Sequence, residues 1–134
     1  MNSILADTHT IIWYLQQSDQ LSPKAKAKLD QTTAQGELIY ISAISLVEII
    51  YLVEKYRIPK KALEKLNDAL SDPEFALSLI PLNLLIAETL TQIPRETVPD
   101  MPDRIIAATA VAFKLPLITR DTRIQALNNL EIIW

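Results

Sequence analysis

Short apolar runs alternate with longer amphipathic stretches along the whole chain. The runs predict five strands, at residues 2–6, 37–42, 76–82, 116–119 and 130–134. Between them, the spacing predicts helices at 8–17, 22–35, 43–57, 60–72, 83–93 and 102–114, and a turn with a short helix within 120–127. The strands are apolar throughout, as in sheets that are covered on both faces. The alternation therefore predicts an α/β fold, with a mostly parallel sheet of about five short strands and helices on both faces, in a single domain over 1–134.

Two of the predicted helices carry apolar side chains at three-to-four spacing. In the helix over 60–72 these are Ala62, Leu63, Leu66 and Leu70. In the helix over 43–57 they are Ile44, Val47, Ile50 and Tyr51. Because such a stripe usually faces the core, we expect both sets to be buried, with a dimer surface as the alternative.

Composition removes several classes of protein and site. The chain has 134 residues, 49% of them hydrophobic, which argues against disorder. It has no Cys, which excludes disulfide frameworks, Cys-based metal sites and Cys nucleophiles. Its one Gly, Gly36, cannot build a glycine-rich phosphate loop and is expected to end the second helix.

Neither targeting segments nor net charge point to a particular partner. The start lacks a basic segment followed by a long apolar one, and no apolar run approaches the ~20 residues of a membrane span. We therefore expect a soluble, cytoplasmic protein. The net charge of −3 gives no overall attraction to nucleic acid, although clustered basic residues or bound cations can provide it locally.

Four carboxylic acids occupy comparable places in the predicted fold. Asp7 ends the first strand, Asp121 follows the fourth strand, and Asp103 lies in the first turn of the helix over 102–114. Glu48 lies within the apolar stretch "SLVEIIYLV" of the helix after the second strand. In an open parallel sheet, sites form beyond the carboxyl ends of the strands, where the strand order reverses. We therefore expect the four acids to converge there.

Each acid also has a structural interpretation. Asp7 could cap the helix that follows it, Asp103 could interact with its helix dipole, and Asp121 could stabilise a turn. For any one of them alone, such a role is the commoner one. An ionised Glu48 among Leu and Ile is costly to bury unpaired, so it needs an exposed helix edge or a pairing with Arg104. Taken together, the four acids favour a shared site.

Clustered carboxylates repel one another, and a bound divalent cation relieves that repulsion. Oxygen ligands without Cys favour Mg²⁺ or Mn²⁺ over Zn²⁺. Such ions hold a phosphate, activate a water and stabilise the leaving oxygen. The sequence therefore predicts metal-assisted hydrolysis of a phosphodiester.

Four motifs resemble those of the PIN domain, and more closely those of VapC-type toxins of bacterial toxin–antitoxin pairs. They are "LADTHTIIWYL" near the start, "SAISLVEI" around Glu48, "DMPDRIIAATA" at 100–110 and "LITRD" at 117–121. They occur in the family's order and cover essentially the whole chain. "PDRIIAATA" followed by "TRD" is fairly specific, whereas "DTH" alone is weak. The resemblance implies a PIN-like fold, a metal-dependent endoribonuclease with an acidic pocket, a homodimer, and a small antitoxin that covers the pocket.

The resemblance also implies roles for individual residues. The catalytic and metal-binding acids, for Mg²⁺ or Mn²⁺, would be Asp7, Glu48, Asp103 and Asp121. Secondary pocket positions would be Thr8, Asp100, Arg104 and Thr119. His9 is the only His, and we expect it to pack near the sheet at a helix start, because a metal-bound water needs no separate protein base.

Basic residues cluster in "EKYRIPKKALEK". This segment holds five of the thirteen in the chain: Lys55, Arg57, Lys60, Lys61 and Lys65. A solvated helix face is the commoner meaning of such a run, and contact with RNA phosphates is the sharper hypothesis. Arg104 and Arg120 stand directly beside two of the acids, so they could orient the acids, touch the substrate or form ion pairs.

Two other functions could use the same residues. The acids could serve a phosphatase or a DNA nuclease on a related fold, although no separate DNA-binding module is visible. Alternatively, the chain is a catalytically silent interaction module with structural acids and a basic binding surface. Stabilisation by Mg²⁺ or Mn²⁺ would separate an enzyme from such a module.

Overall fold

The computed structural model describes residues 2–134 and confirms the predicted order of strands and helices. The strands are β1 (Ile4–Ala6), β2 (Ile39–Ser42), β3 (Leu77–Ile80), β4 (Leu117–Ile118) and β5 (Ile132–Ile133). The helices are α1 (Thr8–Leu15), α2 (Pro23–Ala34), α3 (Ala43–Glu54), α4 (Lys60–Ser71), α5 (Leu84–Thr89), α6 (Met101–Phe113) and α7 (Thr122–Gln125). A 3-10 turn, Leu90–Gln92, continues α5.

All strand pairings are parallel, and the sheet order is β3-β2-β1-β4-β5. The central strand β1 pairs with β2 through Ile4 and Ile39, and with β4 through Leu5 and Leu117. The chain lays down β1 to β3 in one direction and then returns to the other side of β1. The strand order therefore reverses between β1 and β4, and a crevice opens beyond the carboxyl ends of these two strands.

Side chains of the strands alternate between two core layers. Ile4 and Ala6 pack with residues of α1, α2 and α4, whereas Leu5 packs with residues of α5, α6 and α7. Helices therefore cover both faces of the sheet, as the unbroken apolar character of the strands predicts. No helix within residues 2–134 combines the length and the apolar character that crossing a membrane requires.

Several elements end earlier than their apolar patterns predict. The helix α1 ends at Leu15 and α3 ends at Glu54, because Gln17 and Tyr56 adopt left-handed backbone angles, with φ of 55° and 57°. The strands β4 and β5 have two residues each, since only these pair across the ladder. The predicted limits of α2 are confirmed more closely: Ser22 Oγ accepts a hydrogen bond from Ala25 N at 3.0 Å, and Gly36 adopts a φ of 71° just after the helix.

The apolar stripes of α3 and α4 differ in their burial. In α4 Ala62 and Leu66 are buried as predicted, and Leu63 and Leu70 are partly buried against the same core layer. In α3 the prediction is wrong for three large residues, which are exposed: Val47 (46%), Ile50 (36%) and Tyr51 (58%). The buried row of α3 is Ser45 and Ile49 instead, since the Ser45 hydroxyl lies 2.9 Å from the Thr8 hydroxyl of α1.

Candidate acidic site

A cavity of about 360 Å³ lies beyond the carboxyl ends of β1 and β4. Its walls are formed by Asp7, Thr8, His9, Trp13, Glu48, Asp100, Asp103, Arg120 and Asp121. The four acids that were expected to converge do lie together here, and Asp100 joins them. The structure confirms this placement, while the catalytic and metal-binding roles of the acids stay predictions.

Asp7 is held by two hydrogen bonds at the end of β1. Its Oδ1 accepts from the Thr10 backbone N at 2.9 Å, which caps α1 as the structural interpretation predicts. Its Oδ2 accepts from the hydroxyl of Thr119, which is fully buried. Burial raises the pKa of the Asp7 carboxyl, and the bonds from Thr119 and Thr10 oppose that increase. One side chain therefore both caps a helix and faces the cavity.

Glu48 reaches the cavity from the middle of α3. Its Oε1 accepts a hydrogen bond from the Thr8 hydroxyl at 2.5 Å. Burial raises the pKa of the Glu48 carboxyl, the bond from Thr8 opposes the increase, and the charge on Asp100 adds to it. The hydroxyl at position 8 therefore orients Glu48, which is the pocket role expected for Thr8.

The acids at the start of α6 have no comparable support. Asp100 is the N-cap residue of α6, but its side chain accepts no capping hydrogen bond. Burial and the charges of four neighbouring acids raise the pKa of Asp103 to about 7. No hydrogen bond within residues 2–134 opposes that increase. Repulsion between carboxylates is thus concentrated at Asp103.

Asp121 follows β4 and caps the short helix α7. Its Oδ1 accepts from the backbone N atoms of Arg123 at 2.8 Å and Ile124 at 3.1 Å. Its own backbone N donates to the Thr119 hydroxyl oxygen at 3.0 Å. Thr119 therefore connects the two strand ends, because it bonds to Asp7 after β1 and to Asp121 after β4.

The two arginines beside the motif acids are placed in opposite ways. Arg104 turns away from the cavity, where its Nη2 donates to the carbonyls of Leu90 and Ile93, both at 2.8 Å. The expectation that Arg104 is a pocket residue or pairs with Glu48 is wrong, because the carbonyls at the first residue of the 3-10 turn and just after the turn accept its hydrogen bonds. Arg120 lines the cavity instead. In the sequence, the position of Arg120 between Thr119 and Asp121 was the indication that it lies at the cavity.

An aromatic wall completes the cavity. His9 is exposed and its ring centroid lies 5.5 Å from that of Trp13, so the expectation that it packs near the sheet is wrong. Thr8 and Thr10 take the buried positions of this turn, which leaves position 9 pointing outward. Trp13 was missed by the sequence reasoning, although its four-residue spacing from His9 places both on one side of α1.

The basic segment between α3 and α4 lies outside the cavity walls. All five of its basic residues are exposed: Lys55, Arg57, Lys60, Lys61 and Lys65. The Lys55 ammonium lies 5.9 Å from the Tyr51 ring centroid. Contact between this segment and RNA stays a prediction.

The acids provide the donor atoms that a hard divalent cation prefers, but their side chains are not arranged as a complete set of metal ligands. Carboxylate and hydroxyl oxygens are the donors that Mg²⁺ and Mn²⁺ prefer. No group of three or more His, Asp or Glu side chains within residues 2–134 is arranged to hold a metal ion. Carboxylates without a compensating cation repel one another, and burial together with this repulsion raises the pKa of Asp103 to about 7.

Comparisons with known proteins agree on the family. The family model described as PIN domain matches residues 4–130. Ribonuclease VapC22 of Mycobacterium tuberculosis (strain ATCC 25618 / H37Rv) is 27% identical over 128 residues, which are 94% of this chain and 92% of that protein.

Solved structures of toxin–antitoxin complexes share the fold. VapBC2 from Rickettsia felis, bound to a DNA fragment from its promoter, superposes with a TM-score of 0.73 at 20% identity and covers 97% of this chain and 96% of that chain. A toxin–antitoxin complex from Klebsiella pneumoniae superposes with a TM-score of 0.64 at 29% identity and covers 96% of this chain and 99% of that chain.

Proposed function

Because this chain belongs to the PIN domain family, we propose that it is a metal-dependent endoribonuclease and the toxin of a toxin–antitoxin pair. The observation that carries the proposal is the meeting of five carboxyl groups in one cavity at the carboxyl ends of β1 and β4. A set of acids that served only as helix caps would have no reason to face a common space. Similarity to Ribonuclease VapC22 supports RNA as the substrate.

In this proposal Asp7, Glu48, Asp103 and Asp121 hold Mg²⁺ or Mn²⁺. When bound, the ion lowers the pKa of a water and stabilises the leaving oxygen of the RNA phosphate. The chain's own contribution is orientation. Thr119 fixes the Asp7 carboxylate and Thr8 fixes the Glu48 carboxylate before any ligand arrives.

The protonation state of Asp103 would make metal binding at the same site depend on pH. Its pKa of about 7 means that near neutral pH a proton and a cation compete for this carboxyl. Cation binding should therefore weaken as the pH falls below 7. Below pH 7, a cation in the cavity would favour the ionised form of the Asp103 carboxyl.

An antitoxin partner is the second part of the proposal. The solved neighbours at comparable coverage include toxin–antitoxin complexes, one of them 29% identical to this chain. A small antitoxin whose segment covers the acidic cavity would keep RNA out of it. A toxin of this kind acts on cellular RNA and would therefore work in the cytoplasm.

A homodimer is the third part, and the exposed face of α3 supports it. Val47, Ile50 and Tyr51 present large apolar side chains to solvent, which is the surface an apolar interface needs. Light scattering on the purified chain should then report twice the mass of the 15.1 kDa protomer.

The decisive experiment is cleavage of a labelled structured RNA by the purified chain in Mn²⁺ or Mg²⁺ and in EDTA. We expect cleavage in the metal ions alone. Asp7→Asn and Asp103→Asn should each lower the rate by roughly a hundredfold or more, since a lost metal contact is worth several kcal/mol. Asp68→Asn is the matched control, because Asp68 is exposed on α4 and lies outside the cavity.

The controls separate the proposal from its alternatives. Circular dichroism should show that each variant is folded. Cleavage that survives in both cavity variants would point to a contaminating nuclease and contradict the proposal. Absence of cleavage together with absence of any stabilisation by Mg²⁺ or Mn²⁺ would identify a binding module instead.

A further inference from the structure

Arg120 is a cation among acids that forms no ion pair. It shares the cavity walls with five carboxyl groups and stands next to Asp121 in the chain. Within residues 2–134 the one ion pair joins Lys26 and Asp30, on α2. The guanidinium instead lies over the ring of Trp13, 5.1 Å from the ring centroid. A cation–π contact with an aromatic face does not use the N–H donors of the guanidinium, which stay available for hydrogen bonds.

Trp13 is itself held in place. Its ring centroid lies 6.0 Å from that of Trp134, and both side chains pack against the core layer that contains Ile11 and Ile12. The ring of His9 lies on it at 5.5 Å. Trp13, which lies under Arg120, is therefore packed against the core and is not a mobile surface side chain.

The backbone on both sides of Arg120 is fixed as well. Thr119 is fully buried and bonded to Asp7, and its hydroxyl oxygen accepts from the backbone N of Asp121. The Asp121 Oδ1 atom accepts two backbone N–H groups of α7. The Oδ1 atom of Asp121 thus caps α7. Within residues 2–134 the neighbouring guanidinium forms no ion pair with Asp121 and lies over Trp13.

We propose that Arg120, supported by Trp13, is a positioning residue that binds a phosphate of the RNA backbone at the mouth of the acidic cavity. The inference rests on the proposed ribonuclease function and adds the protein group that meets the substrate. Five acids repel an approaching phosphate, and a guanidinium in the cavity wall offsets part of that repulsion. The planar fork of Arg also matches two phosphate oxygens. Among residues 2–134, Arg120 is the only Lys or Arg in the cavity walls.

A purely structural contact between Arg120 and Trp13 is the competing explanation. It would stabilise the junction of α1 with the β4 loop and leave RNA binding unchanged. The salt dependence of binding separates the two explanations, because each phosphate that a cation neutralises on a single strand adds about 0.7 to the slope of log Kd against log salt concentration.

The test is fluorescence anisotropy with a labelled single-stranded RNA of mixed sequence, measured in Ca²⁺ over a series of salt concentrations, with RNA integrity checked on a gel. Arg120→Gln should weaken binding about tenfold and lower the slope by about 0.7. Arg120→Lys keeps the charge and should keep the slope while losing part of the affinity. Arg123→Gln is the matched control, since Arg123 is exposed in the same segment and lies outside the cavity walls.

Trp13 is tested by a double-mutant cycle. Trp13→Leu should weaken RNA binding in the otherwise unchanged chain and have little further effect when combined with Arg120→Gln. Thermal unfolding of each variant reports its stability separately. Independent, additive losses would contradict the idea that Trp13 acts through Arg120.

The outcomes distinguish this inference from the function it rests on. If the unchanged chain cleaves the same RNA in Mn²⁺ while Arg120→Gln binds with unaltered affinity and slope, the phosphate contact is wrong and the nuclease stands. If Arg120→Gln loses affinity and slope while no cleavage occurs, the phosphate contact stands and the nuclease is wrong. Absence of RNA binding by the unchanged chain overturns both.

Discussion

The two sides of the acidic cavity are built in different ways. On the hydrogen-bonded side, formed by Asp7 and Glu48, each carboxylate accepts a bond from a threonine hydroxyl. On the open side, formed by Asp100 and Asp103 at the start of α6, the Asp100 side chain does not cap its helix and Asp103 is surrounded by like charges. On the first side, hydrogen bonds orient the carboxylates. On the second side the carboxylates repel one another, and protons or cations relieve that repulsion.

This difference assigns separate tasks to the two sides. Threonine bonds favour the ionised carboxylate and fix its direction, so the hydrogen-bonded side is ready for a ligand without rearrangement. Repulsion on the open side lowers the stability of the folded chain and makes cation binding more favourable. Variants on the two sides should therefore differ in the sign of their effect on stability, even where both impair activity.

Among the variants that leave the five carboxyl groups in place, we expect the largest loss of activity when a hydrogen bond on the hydrogen-bonded side is removed. Thr119→Val removes the hydroxyl that bonds to Asp7 and accepts from Asp121 N. Loss of such a supporting bond costs roughly 10–100-fold in metal affinity or activity. The measurement is Mn²⁺-dependent RNA cleavage, with metal affinity from calorimetry.

Thr109→Val is the matched control for that variant. Thr109 is also fully buried, but its hydroxyl donates to the Ile105 carbonyl at 2.7 Å within α6. Its replacement should affect stability without a comparable loss of metal affinity. Equal losses in both variants would show that Thr119 serves packing alone.

On the open side we expect a smaller effect, and one that stabilises the folded chain. The folded-state pKa of Asp103 is about 7, above the ordinary value of 3.8, so the folded chain binds more protons than the unfolded chain between these pH values. This contribution to stability is fully present at low pH and is lost as the pH rises through 7. Asp103→Asn should therefore raise the melting temperature in EDTA at pH 8 by roughly 2–5 °C.

Two comparisons sharpen the prediction for Asp103. Mg²⁺ or Mn²⁺ should raise the melting temperature of the unchanged chain more at pH 8 than at pH 5.5, because protons no longer compete. Asp7→Ala should lower the melting temperature in EDTA, since it removes the cap of α1 and leaves the buried Thr119 hydroxyl without its acceptor. Destabilisation by Asp103→Asn under these conditions would refute the contrast between the two sides.

The smallest effect is expected outside the cavity, in the basic segment. Lys61→Glu should weaken binding of single-stranded RNA by roughly two- to fivefold, as the loss of an exposed charge contact does. Lys24→Glu is its matched control, because each is the exposed second residue of a helix, α4 and α2 respectively. Anisotropy titrations that give the same affinity for both would leave the segment as a solvated helix face.

Three of the four acids could be located from sequence because each lies next to an element boundary. Asp7 and Asp121 follow apolar runs that can only be buried strands, and Asp103 follows a proline at a helix start. In a parallel sheet the carboxyl ends of neighbouring strands lie at one edge, so order along the chain converts into proximity. Element ends were less predictable, since the left-handed residues Gln17 and Tyr56 carry no glycine signal.

The positions of the two arginine side chains could not be predicted from the sequence. Arg104 and Arg120 each stand beside a motif acid, and nothing in the adjacent residues separates them. In the structure, the carbonyls of Leu90 and Ile93 accept from Arg104, and the guanidinium of Arg120 lies over a tryptophan 107 positions earlier in the chain. The exposure of Val47, Ile50 and Tyr51 is a similar case, because the rotation of α3 depends on the contact between Ser45 and Thr8.

The sequence by itself determined the alternation of strands and helices, the coverage of both sheet faces and the edge at which the acids gather. These features follow from local hydrophobic periodicity and from the geometry of parallel strands, which act over a few residues at a time. Only the tertiary structure decided which acids are hydrogen-bonded, which one carries the repulsion and which arginine enters the cavity. Those choices depend on contacts between residues about 40 to 110 positions apart, whose partners no local pattern specifies.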